Sequence, residues 1–559
     1  MPRTLSLLRS FLPLLLVTTL VSLASASGPY TIGSGNTVTA DPNVTRPSTT
    51  PCVVQLFSGA QFFDFNVENF SFAPPAECPG PWAKVVLEAD INLNAGIQFD
   101  RTANFWLGPV NIYFGTTAEP SPNLGPSWHI ENDLTDYSSI FLTAQTGQAD
   151  IGNIIGTDGL TSTIFASASL QFYPLAKGER PPVTADQVLA LSSGPSGGTV
   201  ALNSTSSTLA GTFTFPLNVQ TAYLDVYAQS QSDDEFWYTC VPNDVASELE
   251  SCGNTGFRET EITIDGQPAG VAPVFPWIFT GGIDPFLWFP IPGVQTLNFT
   301  PFRVNLTPFA GLLSNGKPHT VSLSVFNADN FFSATASMLL YLDHDTPQIT
   351  GAITQNTLKG PSPIVTEKLN VQPTLTKGTV GVSSKRSFEI SGFVNTSRGK
   401  IITTVSQNVN FSNNQFFDIT GTQFVQDISQ TSELSSQTTT FGGGLPTVSN
   451  QFFNFPLTVN ITQLVQSNGD INQTTTASQT YSLLATTLGN NNKPFASFLV
   501  NTAQHTDTLE LDSSFNLLGN TGQSSSQLYN YFDSTGAFYN CELAAAANVL
   551  TKVSHGCAP

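Results

Sequence analysis

Carboxylates crowd among aromatic rings in two stretches of this chain. The first, residues 97–139, holds Asp100, Arg101, Trp106, Glu119, Trp128, His129, Glu131, Asp133 and Tyr137. The second, residues 233–288, opens with Asp233, Asp234, Glu235, Trp237 and Tyr238. It passes Arg258, Glu259, Glu261 and Asp265 and ends with Trp277, Asp284 and Trp288. These are the residue types of a sugar-handling site: rings stack on the apolar face of a pyranose, while Asp, Glu and Arg bond its hydroxyls. A carboxylate among apolar groups also has its pKa raised by desolvation, which suits it to acid or base work near its operating pH. Asp100–Arg101 stands out because charge is scarce, with 19 Lys plus Arg in 559 residues. A buried pair gains little net stability after desolvation, so one in so charge-poor a chain leans functional.

Structural readings compete with these. A Trp in a β-sandwich is more often core than platform, and "ENDLTDYSSIF" also reads as a loop with Asp and Ser caps. Other chemistry is poorly supported. There is no G-x-S-x-G elbow. "TGGID" at 280–284 lacks the strand–GxGxxG–helix setting of a nucleotide site. The five His are scattered, and His344 in "LDHD" reads as a solvated strand end rather than a metal ligand.

The elements that must position these residues are strands. "AKVVLEADINL", "VNIYFGTT", "STIFASASLQFYPL" and "PLNVQTAYLDVYAQSQ" alternate apolar with polar residues and are cut by Gly, Pro and Asn. Phe is abundant (42) and Met nearly absent (2), a mix that suits a pleated, half-buried surface. Many short strands without βαβ alternation predict an all-β protein of sandwiches or jelly rolls. No fixed-period repeat suggests a propeller. After Asp345 the composition shifts to Thr, Ser, Gln and Asn, and all six Trp lie before that point. There, "CELAAAANVLTKV" is the one short helix expected.

The net charge of −21 and pI near 4.4 argue against nucleic acid and anionic membranes, and hint at an acidic working environment. Arg3 and Arg9, the run "FLPLLLVTTLVSLA" and "ASA" at 24–26 predict a signal peptide over residues 1–26. Residues 27–50 are expected to be a flexible, exposed arm. Sequons begin at Asn43, Asn69, Asn203, Asn298, Asn305, Asn395, Asn410, Asn460 and Asn472. Secretion is therefore expected, with an acidic vacuole-like organelle as the alternative. The six Cys fall as close neighbours, and local pairing of Cys52–Cys78, Cys240–Cys252 and Cys541–Cys557 is the simplest arrangement, though six allow 15. A metal site has no CxxC or HxxxH spacing to support it.

At the same residues the chain resembles a known family. "QFDRTANFWLGPVNIYFGTTAEPSP", "WHIENDLTDYSSIF", "EFWYT", "FRETEITIDGQPAGVAPVFPWIFTGGIDPFLWFPI" and "LTPFAGLLSNGKPHTVSLSV" are similar, in the same order, to the peptide-N4-(N-acetyl-β-glucosaminyl)asparagine amidases of the plant and fungal A type. The likeness runs from about residue 50 to 345 and more loosely to about 480. It implies cleavage of the amide that links an N-glycan to asparagine, leaving aspartate and a glycosylamine, without cofactor or metal. It implies two packed eight-stranded antiparallel jelly rolls, expected here over 51–225 and 226–345, with the site between them. Residues 346–559 are expected to be a further β-rich region. The substrates implied are N-glycosylated peptides or denatured glycoproteins, handled by a monomer that touches neither nucleic acid nor membrane.

The resemblance also assigns residues. "FDR" at 99–101 matches the "WDR" of bacterial relatives, which gives Asp100 the principal catalytic role and Arg101 that of its neighbour. "EFW" at 235–237, followed by "FR" at 257–258, resembles the motif of the second carboxylate and points to Glu235. "AEP" at 118–120 adds Glu119. Substrate contacts are expected from Trp106 and Trp237 as sugar platforms, and from Glu131, Tyr238, Arg258 and Trp288. Where A-type motifs usually carry a Lys and an Arg, this chain has Asn132 and Asp136. A non-catalytic lectin-like protein on the same scaffold, or a glycosidase using a carboxylate pair, are the alternatives.

Overall fold

The structure is a computed structural model that describes residues 30–442, 446–489 and 492–557. The expected signal peptide lies outside the described residues. The all-β architecture is as the alternating sequence pattern predicts.

Eight strands form the first sandwich: β1 (Cys52–Phe62), β2 (Glu68–Phe72), β3 (Trp82–Leu93), β4 (Thr102–Leu107), β5 (Val110–Thr116), β6 (Ser127–Asp133), β7 (Gln145–Ile151) and β8 (Ile164–Pro174). They make two sheets, ordered β1-β8-β3-β6 and β2-β7-β4-β5. The second sandwich begins with β9 (Gln187–Leu191), β10 (Val200–Leu202), β11 (Leu209–Thr214) and β12 (Val219–Ser230). It continues with β13 (Glu259–Ile264), β14 (Gln267–Pro273), β15 (Phe302–Asn305), β16 (Pro318–Phe326) and β17 (Phe332–Leu342). Its sheets run β10-β17-β12-β15 and β11-β16-β13-β14, with β9 added beside β17. Leaving β9 aside, the strand order is the same in both sandwiches, first-eighth-third-sixth over second-seventh-fourth-fifth. That is the double Greek key of a jelly roll. The division between them falls between Pro174 and Gln187, not at the expected 225/226, because β9 to β12 pair with strands of the second sandwich.

β5 is buried at every position. One of its faces belongs to the first core through Ile112 and Tyr113, and the other meets the second through Phe114. The two sandwiches therefore share a dry seam. Loops at one end of that seam carry the carboxylates.

The Thr-, Ser-, Asn- and Gln-rich remainder forms one antiparallel meander. Its strands are β18 (Thr350–Asn356), β19 (Ile364–Gln372), β20 (Leu375–Thr396), β21 (Gly399–Thr420), β22 (Gln423–Phe441) and β23 (Thr447–Val465). β24 (Ile471–Gly489), β25 (Asn492–Leu511), β26 (Leu517–Asp533), β27 (Phe538–Ala546) and β28 (Val549–Val553) complete it. The inward face packs Phe411, Phe453, Phe455 and Leu457 into the core of the second sandwich. Between these side chains stand carboxamides with a defined task. The loops they cover are irregular, and buried backbone groups without partners are costly. Asn413 Nδ2 donates to Tyr238 O (2.8 Å), Gln415 Nε2 to Cys240 O (2.9 Å) and Gln426 Nε2 to Thr239 O (3.0 Å). Gln479 Nε2 donates to Pro276 O (2.6 Å) while its Oε1 accepts from Val294 N (2.8 Å). The polar composition of this region thus serves to dock loops of the second sandwich.

Two expectations are corrected here. "CELAAAANVLTKV" is a hairpin, not a helix. Cys541, Leu543 and Ala545 alternate inward, and Ala547 and Asn548 both take positive φ (49° and 63°), the geometry of a tight hairpin turn. The N-terminal segment is not a free arm. Val38 and Ala40 are buried against this hairpin and Ile291, and Gly33 N and Leu550 N bond to Leu550 O and Ser34 O. Disulfides join Cys52–Cys78, Cys240–Cys252 and Cys541–Cys557. The sequon asparagines 43, 69, 203, 395 and 460 are exposed; Asn298, Asn305, Asn410 and Asn472 are half-buried.

Candidate active site

Asp100 sits on the irregular segment between β3 and β4, and its backbone N–H donates to Glu119 Oε1 at 3.2 Å. Glu119 follows β5. Its own N–H donates to Thr280 Oγ1 (3.0 Å), and the Thr280 hydroxyl donates to Thr117 O (3.0 Å). The segment is fixed further by Arg101 N to Thr117 Oγ1 (2.9 Å) and Thr117 N to Arg101 O (2.9 Å). Arg101 Nη2 donates to the buried Gln98 at 2.7 Å, and Arg101 Nε is buried without a partner among the described residues. Glu235 reaches the same place from the second sandwich, on the short turns that follow β12.

Three acidic groups and one guanidinium therefore share a site. Burial pushes the Asp100 carboxyl well above the usual range, and Glu119 and Glu235 add to this while Arg101 opposes it. Burial takes Glu119 up to about 7 and Glu235 up to about 7. Desolvation also lowers Arg101 against the pull of Asp100 and Glu119. Groups so coupled titrate as a set. Near neutrality the set holds protonated and ionised carboxyls side by side, so an acid and a base are available together.

Behind Glu235 lies a support that sequence reading misassigned. Arg258, expected at the substrate, is fully buried, with Nε on Asp234 Oδ1 at 2.8 Å. Its Nη1 donates to the carbonyls of Asn254, Thr255 and Phe257. Asp234 Oδ2 accepts from Asp329 N (2.7 Å) and Asn330 N (2.9 Å). This pair pins the segment that presents Glu235.

The aromatic expectations also change. Trp106, Trp237 and Tyr238 have no exposed surface. Trp106 fills the seam, so close to Gly197 that a Cβ there would run into its indole. Trp237 and Tyr238 pack beneath the C-terminal meander, Trp237 beside Phe411. Trp288 is 3% exposed, and its Nε1 donates to Gly282 O (2.8 Å). None of these offers a face to a sugar. Alternation in β4, with both faces buried at the seam, decides this for Trp106. The ring that stands free is Phe99, 58% exposed and adjacent to Asp100, flanked by the equally open Ile97.

Glu131 belongs elsewhere. It pairs with Arg46 (2.8 Å) and His129 (3.2 Å) on the wall of a separate groove of about 520 Å³. Against burial, hydrogen bonds from His129 and Arg46 bring Glu131 down to about 2, and bonds to Asp90 and Glu131 raise His129 to about 9. Glu88, His129 and Glu131 offer ligand-type atoms within 4.8 Å of one another, but Arg46 already bridges Glu88 and Glu131 there. The two residues that depart from the A-type motif are also intramolecular. Asn132 accepts from Asn298 Nδ2 (2.9 Å). Asp136 pairs with Arg303, which also grips Asp225 (2.7 and 2.8 Å). The missing positive charges thus fall at contacts between the sandwiches, not beside Asp100.

The sequence model of the peptide N-acetyl-β-D-glucosaminyl asparaginase amidase A family matches residues 41–357, both sandwiches with all four site residues. The chain belongs to this family. It is 32% identical over 364 residues to the peptide-N4-(N-acetyl-β-glucosaminyl)asparagine amidase A of Prunus dulcis, across 61% of this chain and 62% of that protein. The match thus spans less than two thirds of the almond relative. Among solved structures, PNGF-II aligns at 12% identity and a TM-score of 0.37, over 53% of this chain and 65% of that one. PNGase F, a glycosylasparaginase from Flavobacterium meningosepticum, aligns at 12% identity and a TM-score of 0.35, over 52% and 96%. Among the described residues no helix is long and apolar enough to cross a membrane.

Proposed function

We propose that this chain is an amidase that hydrolyses the bond between the first N-acetylglucosamine of an N-glycan and its asparagine. The observation that carries the reading is the Asp100–Arg101–Glu119–Glu235 cluster, built across the seam by loops of both sandwiches. Family membership, and the almond relative's name, agree with it.

In this reading the coupled set reacts from the state in which Asp100 is ionised and the proton rests on Glu119 or Glu235, and Asp100 takes a proton from water, whose oxygen attacks the side-chain amide carbonyl. The carbonyl oxygen gains negative charge, and the Arg101 guanidinium offsets it. Fixed charge placed where charge develops is often the largest catalytic contribution. Collapse breaks the C–N bond, and a protonated carboxyl of the set, Glu119 or Glu235, protonates the departing nitrogen. The peptide keeps aspartate and the glycan leaves as a glycosylamine. Burial of the carboxyls serves this chemistry, because it brings acid and base near the same pH. Phe99, the exposed ring beside Asp100, is the surface on which the first sugar packs. Three disulfides and nine sequons suit an oxidising secretory route, and glycopeptides or unfolded glycoproteins acting as substrates for a monomer fit a site on loops at one end of the seam.

Incubation with a defined N-glycopeptide, followed by mass analysis of the peptide, tests this. Aspartate in place of glycosylated asparagine is the expected product. Asparagine retaining one sugar would mark a glycosidase, and an unchanged peptide over a range of pH would overturn the amidase reading in favour of a binding protein.

A further inference from the structure

The C-terminal meander also holds a turn beside the site, in a way that neither its composition nor the family match explains. The turn Thr280–Gly281–Gly282–Ile283–Asp284 lies directly against the site. Gly281 has φ +87°, and a Cβ there would overlap the Glu119 carboxylate. Ile283 takes φ +64°, a left-handed conformation that a β-branched residue adopts only when its surroundings enforce it. What enforces it comes from the meander. Phe286 packs on Ile471, Leu509 and Leu511. Gln473 Nε2 donates to Ile283 O at 3.4 Å. Asp284 meets Asp507 of β25 carboxyl to carboxyl.

That last contact is unusual because both side chains are buried, at 0% and 1% exposure. Asp284 Oδ1 accepts from Phe286 N (3.0 Å), and Asp507 Oδ1 accepts from Asn520 Nδ2 (2.8 Å). The backbone N–H groups of Leu287 and Thr508 also favour the ionised forms, but the second oxygens, Asp284 Oδ2 and Asp507 Oδ2, are buried without a hydrogen-bond donor among the described residues. Two carboxyl groups hydrogen-bond to one another only if one of them is protonated. Among the described groups no cation is placed to replace that proton. β24 carries no charged residue and β26 none before Asp533; besides Asp507, β25 carries Glu510, His505 and, fourteen positions away at its start, Lys493. His505 Nε2 bonds to Ile291 O at 3.0 Å, and burial lowers it to about 4, so it is neutral. On its other side the turn faces Glu119 and, through it, Asp100, Glu235 and Arg101.

We propose that Asp284 and Asp507 share one proton and form a latch by which the C-terminal meander holds the Gly281–Gly282 turn against Glu119, which makes both aspartates positioning residues for the amidase reaction. The inference rests on the amidase reading of the Asp100 cluster. Below neutral pH the shared proton joins the two carboxyls. When it is lost, two like charges are left in contact inside the protein, and the turn is pushed away from Glu119. Burial, then Asp507, raises Asp284 to about 7, so the latch is closed well below that pH and opens as pH rises through it.

The experiment compares wild type with Asp507→Asn, whose amide donates to Asp284 without needing a shared proton. The first measurement is hydrogen exchange over residues 279–291, corrected for the intrinsic pH dependence. The expected result is protection that falls between about pH 5 and pH 8.5 in wild type but not in the variant. The second is kcat/KM. The variant-to-wild-type ratio is expected to rise at least about threefold over the same interval. A merely structural contact would change kcat/KM by the same factor at every pH. A flat ratio, or wild-type protection that does not respond to pH, overturns the latch. Should Asp507→Asn fail to fold, Asp284→Asn carries the same two measurements. If no amide is cleaved at any pH, the amidase reading fails by itself, and hydrogen exchange still decides whether the latch exists.

Discussion

The backbone N–H of Asp100 is bonded to the carboxylate of Glu119, 3.2 Å away. One acidic residue thus fixes the position of another while raising its affinity for protons. Glu119 is in turn held by Thr280 from the second sandwich. Each carboxylate of the site depends on a chain segment remote from its own.

Asp100→Asn is expected to lower kcat/KM on a glycopeptide by at least about 100-fold, the loss typical of a removed acid–base group. Circular dichroism and thermal melting should show an unchanged fold. Near-normal deglycosylation by the variant would remove Asp100 from the mechanism.

The pH dependence of stability has a definite sign. Glu119 and Glu235 titrate at about 7 in the fold, above their ordinary value. Folding therefore favours their protonated forms. The contribution of these two groups to stability is fully present below the ordinary carboxylate range and is lost as pH rises through about 7. Glu235→Gln should raise Tm at pH 8 by roughly a few degrees and leave it little changed at pH 4. Calorimetry at the two pH values checks this, and an equal shift at both would contradict it.

Arg258→Met leaves Asp234 charged and buried with no cationic partner. Breaking a buried pair in this way costs roughly 3–5 kcal/mol. Denaturant unfolding should show that loss. Because Asp234 pins the segment carrying Glu235, kcat should fall more than KM rises.

Gly281→Ala should lower kcat at least about 10-fold, because the new methyl displaces the Glu119 carboxylate and positive φ disfavours alanine. Gly266→Ala, at φ +75° with open space around its Cα, is the matched control. It carries the conformational cost of about 1 kcal/mol without the loss of rate. Similar activity in the two alanine variants would refute the contact.

Phe99→Ala should raise KM for glycopeptide several-fold with a smaller change in kcat, as expected when a binding surface is lost rather than a reacting group. Steady-state kinetics on one glycopeptide separates the two parameters.

Much of this was legible in the chain. Alternation of apolar and polar residues fixes strands locally, so an all-β fold and most strand positions follow from it. The scarcity of charge made Asp100–Arg101 conspicuous, and its setting among aromatic residues suggested sugar chemistry. The close spacing of each cysteine pair pointed to three local disulfides, which are the ones present. Less legible was which aromatic residues are free. Trp106 and Phe99 lie seven residues apart in one motif, yet one fills the seam and the other faces solvent. Composition cannot distinguish them, because the difference arises from a second sandwich packing on β5. "CELAAAANVLTKV" misled for a related reason. Alanine favours helix in isolation, but Cys541, Leu543 and Ala545 present a period-two face to a neighbouring strand and to Val38 and Ala40.

The sequence by itself determined the class of fold, the residue types of the site and the segments that carry them, because these depend on local periodicity and on chemistry within a few residues. The tertiary structure alone decided that Glu119 and Glu235 meet Asp100, that Arg258 supports rather than binds, and that Asp284 finds Asp507 more than 200 positions away in the chain. Those relations depend on burial and on which loops share a seam, and both quantities exist only once distant strands have packed together.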